Sequence, residues 1–252
     1  MAKNFIIANW KMSLGHEQTL DLVDQIVQQI QPSDKTEIVV CPSFISLVAV
    51  APKIANSGIK LGAQDCFWHD EGAFTGEVSP LNLKEIGCDY VIVGHSERRG
   101  YLNETDAMVR QKVKAALENN LVPIICVGET LEQRQSSSKD FIIMQQVNKA
   151  LAGIELTAQN QLIIAYEPVW VIGSGQAVEP SEAEHTTQVI RQVLLDYFPL
   201  EVINKRIHLL YGGSVNPLNI REFLSQPTIV GALVGGASLE AKIFWQLIKA
   251  LE

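Results

Sequence analysis

The chain carries eight short runs of β-branched and aliphatic residues, beginning near Phe5, Glu37, Ile59, Tyr90, Val122, Leu162, Ile207 and Val230, with helical periodicity between them. Successive starts lie 22 to 45 residues apart, room for a crossover helix and too much for a hairpin, so the strands are expected to be parallel. Tyr90-Val-Ile-Val93 and Pro123-Ile-Ile-Cys-Val127 are apolar throughout, the pattern of strands covered on both faces. Eight βα units in 252 residues match a closed (β/α)8 barrel, which needs about 250. No stretch rich in Pro, Gly and Ser divides the chain, and Ser136-Ser137-Ser138 fits inside one loop, so residues 1–252 are expected to form a single α/β domain.

Local signals place the helices. Leu20, Val23, Val27 and Ile30 recur on one face, Ser181 with Glu184 reads as a capping box, Pro217 after Asn216 reads as a first helical residue, and Lys84 to Gly87 reads as a short helix stopped by glycine. A doubly wound dinucleotide fold would show Gly-x-Gly-x-x-Gly after an early strand, whereas the first strand here leads into Trp10-Lys11-Met12-Ser13. The glycine pairs come late instead. Gly212-Gly213 and Gly235-Gly236 follow the seventh and eighth strands, where barrels of this kind bind phosphate.

Charge narrows the ligands. A formal net charge of -8 is the wrong sign for coating nucleic acid, so an anionic ligand must be held by a local pocket. No run approaches the roughly 18 apolar residues of a membrane span, and four apolar residues before Asn9 are too few for the core of an export signal. Cys41, Cys66, Cys88 and Cys126 show no paired spacing, which suits a reducing, cytoplasmic setting, and no His or Cys spacing supports zinc.

The chemistry gathers at strand ends. Glu167 ends the sixth strand and opens Pro168-Val-Trp-Val-Ile-Gly-Ser-Gly175, which has the stiff start, apolar cover and glycines of a lid. His95 ends the fourth strand where a short helix starts, and the positive end of a helix favours a neutral ring. Asn9 and Lys11 end the first strand, and alternation sends both side chains to one side. Cys126 reads as a buried thiol, and His16, His69, His185 and His208 as surface or structural residues. A carboxylate, an imidazole, an ammonium and glycine-lined anion sites on one rim suit proton abstraction beside a carbonyl on a phosphorylated small molecule.

Six ordered motifs then carry a resemblance: Asn9-Trp10-Lys11, Gly72-Ala-Phe-Thr-Gly-Glu77, Gly94-His-Ser-Glu-Arg-Arg99, Ala165-Tyr-Glu-Pro-Val-Trp170, Tyr211-Gly-Gly-Ser-Val215 and Leu233-Val-Gly-Gly-Ala-Ser-Leu239. Over its whole length the chain resembles the triosephosphate isomerase family, for which a Glu base beside a neutral His is a known pairing. The resemblance implies that Glu167 is the base, His95 the electrophile, and Lys11 with Asn9 the groups that bind substrate and stabilise negative oxygen. It further implies that Gly173, Ser214, Gly235 and Gly236 hold phosphate, that Glu97 supports the basic and imidazole groups, and that neither metal nor organic cofactor is needed. The implied reaction interconverts dihydroxyacetone phosphate and D-glyceraldehyde 3-phosphate through an enediolate, in glycolysis and gluconeogenesis. The third loop, Asp65 to Pro80, holds Phe67, Trp68 and Phe74, more aromatic surface than a free loop should expose, and the family implies a homodimer with Thr75 near the contact.

The chain departs from that family's usual residues at Val171 and Ser174 in the lid, at Gln176-Ala177-Val178 after it, at Asp65 and at Val230. Two other readings stand beside the isomerase. A Schiff-base aldolase would need a lysine at the barrel's centre, and the sixth strand offers Glu167 instead. A phosphometabolite-binding barrel without catalysis would have no use for the base.

Overall fold

The computed structural model describes residues 3–30, 33–173 and 175–251. Eight strands, β1 (Asn4–Asn9), β2 (Thr36–Cys41), β3 (Lys60–Ala63), β4 (Tyr90–Val93), β5 (Val122–Val127), β6 (Leu162–Tyr166), β7 (Ile207–Tyr211) and β8 (Ile229–Val234), close in chain order into a parallel barrel. Each begins within one residue of the start expected from sequence. The barrel closes where Phe5, Ile6, Ile7 and Ala8 of β1 pair with Gly231, Ala232, Leu233 and Val234 of β8.

The helices form the outer ring: α1 (His16–Gln29), α2 (Phe44–Ile54), α3 (Pro80–Glu85), α4 (Ser96–Tyr101), α5 (Asp106–Glu118), α6 (Leu131–Gln135), α7 (Lys139–Leu151), α8 (Pro180–Leu194), α9 (Leu200–Arg206), α10 (Ile220–Leu224) and α11 (Ala241–Lys249). Because side chains alternate along a strand, each β-strand feeds two cores. Phe5, Ile7, Val39, Ile92, Ile124, Ile163, Leu210 and Leu233 fill the barrel's inside, while Ile6, Ile38, Val91, Ile125 and Ile164 pack outward against the helices. Each fully buried aliphatic side chain contributes about 1.5–3 kcal/mol, so the strands are held from both sides.

Several local expectations shift. The expected face of α1 does pack on the core, with Val23 and Ile30 buried and Leu20 and Val27 half-buried against it, and it is widened by buried Thr19, Leu22 and Ile26. The Ser181 and Glu184 capping box does not form. Pro180, whose fixed φ suits a first turn, starts α8 two residues earlier with Glu179 at the cap position, and Glu184 accepts hydrogen bonds from the Thr228 N–H (3.1 Å) and hydroxyl (2.8 Å) instead. Pro217 lies in a turn held by Asn216 Oδ1, which accepts from the Leu218 and Asn219 amides, and α10 begins only at Ile220. The short helix before Gly87 starts at Pro80 under a Ser79 cap and ends at Glu85.

The third loop is also less exposed than expected. Phe67 is buried, stacks on half-buried Trp68 with centroids 4.0 Å apart and touches Phe74 at 4.6 Å, so the aromatic residues cover one another. Phe74 stays 41% exposed. Among the described residues, no helix is long and apolar enough to cross a membrane.

Candidate active site

Strand alternation aims the site. Phe5 and Ile7 point inside the barrel, so Asn9 continues on the inner face at its mouth; Ile163 and Ala165 do the same for Glu167. Asn9, Lys11, His95, Glu167, Gly173, Ser214, Gly235 and Gly236 all line one cavity of ≈ 430 Å³ at the carboxyl ends of the strands. A small phosphate ester fits that space, which lies where barrels of this class work. A cavity of ≈ 910 Å³ opens at the opposite end, among Lys3, Glu37, Tyr90 and His208, and holds none of these residues.

Two glycines make the close approaches possible. Tyr90 and Ile92 face inward, so plain alternation would send Gly94 inward and His95 out; Gly94 takes φ +71 and turns the chain so that His95 enters the mouth. A Cβ at Gly94 would stand 2.9 Å from Val109 Cγ2 and 3.3 Å from the Cys126 carbonyl oxygen. At Gly128, just past β5, a Cβ would stand 1.7 Å from the backbone oxygen of Glu167. The Glu167 amide donates to the Val127 carbonyl at 2.8 Å, so this contact fixes where the carboxylate begins.

Glu167 is 2% exposed. Its Oε1 lies 3.0 Å from His95 Nε2, and its Oε2 accepts from the Ser96 amide at 3.0 Å, at the start of α4. Burial pushes this carboxyl up, but His95, the Ser96 amide and Lys11 together pull it down further and hold it below the usual range. His95 caps α4, its Nδ1 accepting from the Glu97 amide at 3.2 Å, which leaves that nitrogen without a proton and assigns the ring's proton to Nε2. Burial lowers the imidazole pKa, yet the facing Glu167 carboxylate more than offsets it and raises the ring above its ordinary value. The ring, expected from the sequence to be held neutral by the helix end, is instead shifted toward the charged form by the Glu167 carboxylate in contact with it.

Lys11 sits at φ +51, a left-handed conformation rare for a residue with a side chain, held by its own amide donating to Asn9 Oδ1 (3.1 Å) and by Gln64 Nε2 donating to its carbonyl (2.8 Å). Its ammonium bonds Glu97 at 2.6 Å and lies 4.0 Å from the place a side chain on Gly235 would begin. Glu97 thus bonds Lys11 with its side chain, which also lies 3.6 Å from His95 Nδ1, and holds that nitrogen with its backbone amide, outside the cavity wall itself.

The segment expected to form a lid starts with a short turn, Val169–Val171, and its Ile172 and Gly173 line the cavity. Ser214 Oγ donates to the Val171 carbonyl at 3.1 Å, tying the loop after β7 to the lid. Ser174 lies outside the described residues. Val178 bonds the Tyr211 hydroxyl through its amide at 3.4 Å. Cys126 is fully buried with its thiol pushed well up by burial. His16 bonds Ser46, His185 bonds Asp140, His69 stacks on Phe74 and His208 lies tilted against Phe5, none of them in the cavity.

Sequence reasoning missed Ser96, whose amide holds the Glu167 carboxylate, and Glu129 with Arg134, which hold Trp170. It also missed a buried trio with a half-buried fourth member: Lys112 lies 2.8 Å from both oxygens of Asp65 and 3.0 Å from Glu104, while half-buried Arg98 pairs with the same two carboxylates. Nothing in the spacing of residues 65, 98, 104 and 112 announces that meeting; only the fold creates it.

A closed (β/α)8 barrel with a carboxylate, an imidazole and an ammonium converging beside late glycine pairs defines an enzyme of acid–base chemistry. The family model described as Triosephosphate isomerase matches residues 4–251. Curated relatives named triosephosphate isomerase include those of Dictyoglomus thermophilum, 44% identical over 99% of this chain and 100% of the relative, and Carboxydothermus hydrogenoformans, 45% identical over 99% of each. That of Rhodopirellula baltica is 45% identical over 99% of this chain and 98% of its own. The chain belongs to the triosephosphate isomerase family.

Proposed function

We infer that this protein is an isomerase that interconverts dihydroxyacetone phosphate and D-glyceraldehyde 3-phosphate, a step of glycolysis and gluconeogenesis. The observation that carries the reading is the meeting of Glu167, His95 and Lys11 in one cavity with Gly235 and Gly236, within a chain of this family. Glu167 removes a proton from the carbon beside the carbonyl, giving an enediolate, and returns it to the neighbouring carbon. Both its oxygens are engaged by His95 and Ser96 here, so it must turn from both the Ser96 amide and His95 Nε2 to meet substrate. That turn removes donors that depress its pKa, so the carboxylate becomes a better base as it reaches the carbon.

His95 then has its Nε2–H free for the substrate oxygens, with Nδ1 still fixed by the Glu97 amide. Lys11 and Asn9 stabilise the negative oxygen, and fixed donors of this sort are each worth about 3–4 kcal/mol in a water-poor site. The amides of Gly173, Ser214, Gly235 and Gly236 hold the phosphate, with the lid excluding water. A coupled assay on the purified protein tests the reaction: turnover of either triose phosphate supports it, and none would sink it.

The protein works in the cytoplasm as a homodimer in this reading, with Thr75 of the third loop at the contact. Support comes from apolar side chains left exposed after β1 to β4: Met12 (94%), Ile45 (76%), Tyr101 (84%) and Phe74. Sedimentation as a stable 27.8 kDa monomer at micromolar concentration would refute the dimer.

A further inference from the structure

Glu167 stands between two glycines, and one of them is held by a side chain from the helix ring. On the β7 side, the Gly212 amide donates to the Tyr166 carbonyl at 2.7 Å, and a Cβ there would stand 2.9 Å from Glu167 Cγ. On the β5 side, Gly128 leaves no room for a methyl group against the Glu167 carbonyl. The ladder between β5 and β6 ends at Val127 and Tyr166, so Gly128 is the first residue past it. Both of its backbone groups turn to Gln146 of α7. The Gly128 amide donates to Gln146 Oε1 at 2.7 Å, and Gln146 Nε2 donates to the Gly128 carbonyl at 3.0 Å.

A primary amide carries a donor and an acceptor side by side, as a residue of a neighbouring strand does, so this side chain continues the ladder where the strands stop. Glycine has more backbone freedom than any other residue, which makes a two-point hold most restrictive there. The hold is well rooted, since Ile143, Val147, Ala150 and Leu151 of the same helix are buried. Gln146 lines a separate cavity of ≈ 600 Å³ with Ser96 and Gly128, while Glu167 lines the active-site cavity. Gln146 therefore acts on the reaction only through the backbone it holds.

We propose that Gln146 is a positioning residue for Glu167: by clamping both backbone groups of Gly128, it fixes the wall on which the Glu167 backbone rests, and with it the distance from the carboxylate to the reacting carbon. Without the clamp, Gly128 gains freedom and the end of β6 follows it, while the glycine pairs after β7 and β8 stay in place. The group that reacts and the groups that bind are set by different contacts. The proposal rests on the reading of Glu167 as the base.

Gln146→Met keeps the length of the side chain and removes both bonds. Its kcat should fall by about 10-fold to 100-fold, the scale of loss when a reacting group is misplaced by an ångström or less. KM for D-glyceraldehyde 3-phosphate should stay within about 2-fold of wild type, because only the reacting group has moved. The same change is then made in Glu167→Gln. With no base left to misplace, the double variant should turn over within about 2-fold of Glu167→Gln alone, whereas a side chain that merely supports the fold would lower both proteins by the same factor.

Equal losses in the two backgrounds would overturn the proposal, as would wild-type kcat in Gln146→Met or a loss carried by KM. Gln146→Glu serves if Gln146→Met does not fold: it keeps the shape and the acceptor for the Gly128 amide but, ionised, has no donor for the carbonyl. The same fall in kcat and the same convergence without the base are expected of it, and wild-type kcat there would also overturn the clamp. Full turnover in Glu167→Gln alone would sink the reading of the base and the clamp with it; a fall in Glu167→Gln combined with equal losses sinks the clamp only.

Discussion

Glu167 Oε1 and His95 Nε2 lie 3.0 Å apart, and each moves the other's pKa: the carboxylate raises the imidazole, the imidazole lowers the carboxylate. Replacing Glu167 by Gln removes the charge that raises His95 and leaves burial to lower it. The ring should then titrate below its ordinary value, against above it in wild type, as read by imidazole NMR; an unchanged ring would dissolve the coupling. Turnover should fall at least about 100-fold to 10,000-fold, the range for a lost general base, while binding of a substrate analogue survives. Retention of a tenth of wild-type turnover would assign the base elsewhere.

Lys11→Met should weaken substrate binding and catalysis together. The chain carries a net charge of -8, so a phosphate dianion depends on local cations and amides, and Lys11 is the ammonium lining the cavity. A variant with wild-type kcat and KM would show that the anion is held by other groups.

Gly128→Ala tests the placement of the base through the backbone. A Cβ 1.7 Å from the Glu167 carbonyl oxygen forces the chain after β6 to move. Overpacking of this sort costs about 1–3 kcal/mol, and the shift should lower kcat in the protein that still folds. Wild-type turnover per folded molecule would mean that the contact does not set the carboxylate's position.

Asp65 makes stability depend on pH in an unusual direction. Burial pushes its carboxyl up to about 6 from 3.8, against Lys112 and Arg98, with Glu104 adding to the rise. The folded state therefore binds more protons than the unfolded one between those values, and stability falls as pH rises through that window. The shift corresponds to roughly 3 kcal/mol lost on ionisation. Asp65→Asn, which mimics the protonated form, should raise Tm more at pH ~8 than at pH ~4. Equal Tm changes at the two pH values would refute this.

Deleting Ile172 to Gly175 should leave the barrel folded, lower isomerisation and raise the share of turnovers that end in free phosphate and methylglyoxal. An enediolate beside a phosphate ester expels phosphate when water enters and the reacting atoms lose alignment, which a closed lid prevents. The ratio of inorganic phosphate to isomerised product decides it; an unchanged ratio in a folded variant would mean the segment is no lid.

What the sequence made legible was whatever repeats or sits locally. Strand positions followed from apolar runs at Phe5, Tyr90 or Leu162, and the rim positions of Asn9, Lys11, His95 and Glu167 followed from where those runs end. Contacts between distant segments were not legible. The Ser96 amide on Glu167, the Glu129 bond to Trp170 and the burial of Lys112 all depend on which strand ends become neighbours. The Ser181 and Glu184 pattern misled for the same reason: Thr228, 44 residues on, claimed the carboxylate.

The seam between β1 and β8 has a consequence for synthesis. Phe5 cannot meet Gly231 until the ribosome has made nearly the whole chain, so the first strand waits, with one open hydrogen-bonding edge, for the last. Contacts this remote in sequence are slow to form and leave sticky edges uncovered meanwhile. Truncation within β8 would therefore strand a nascent chain with two raw edges, prone to pair with other copies of itself and dependent on chaperones to stay in solution.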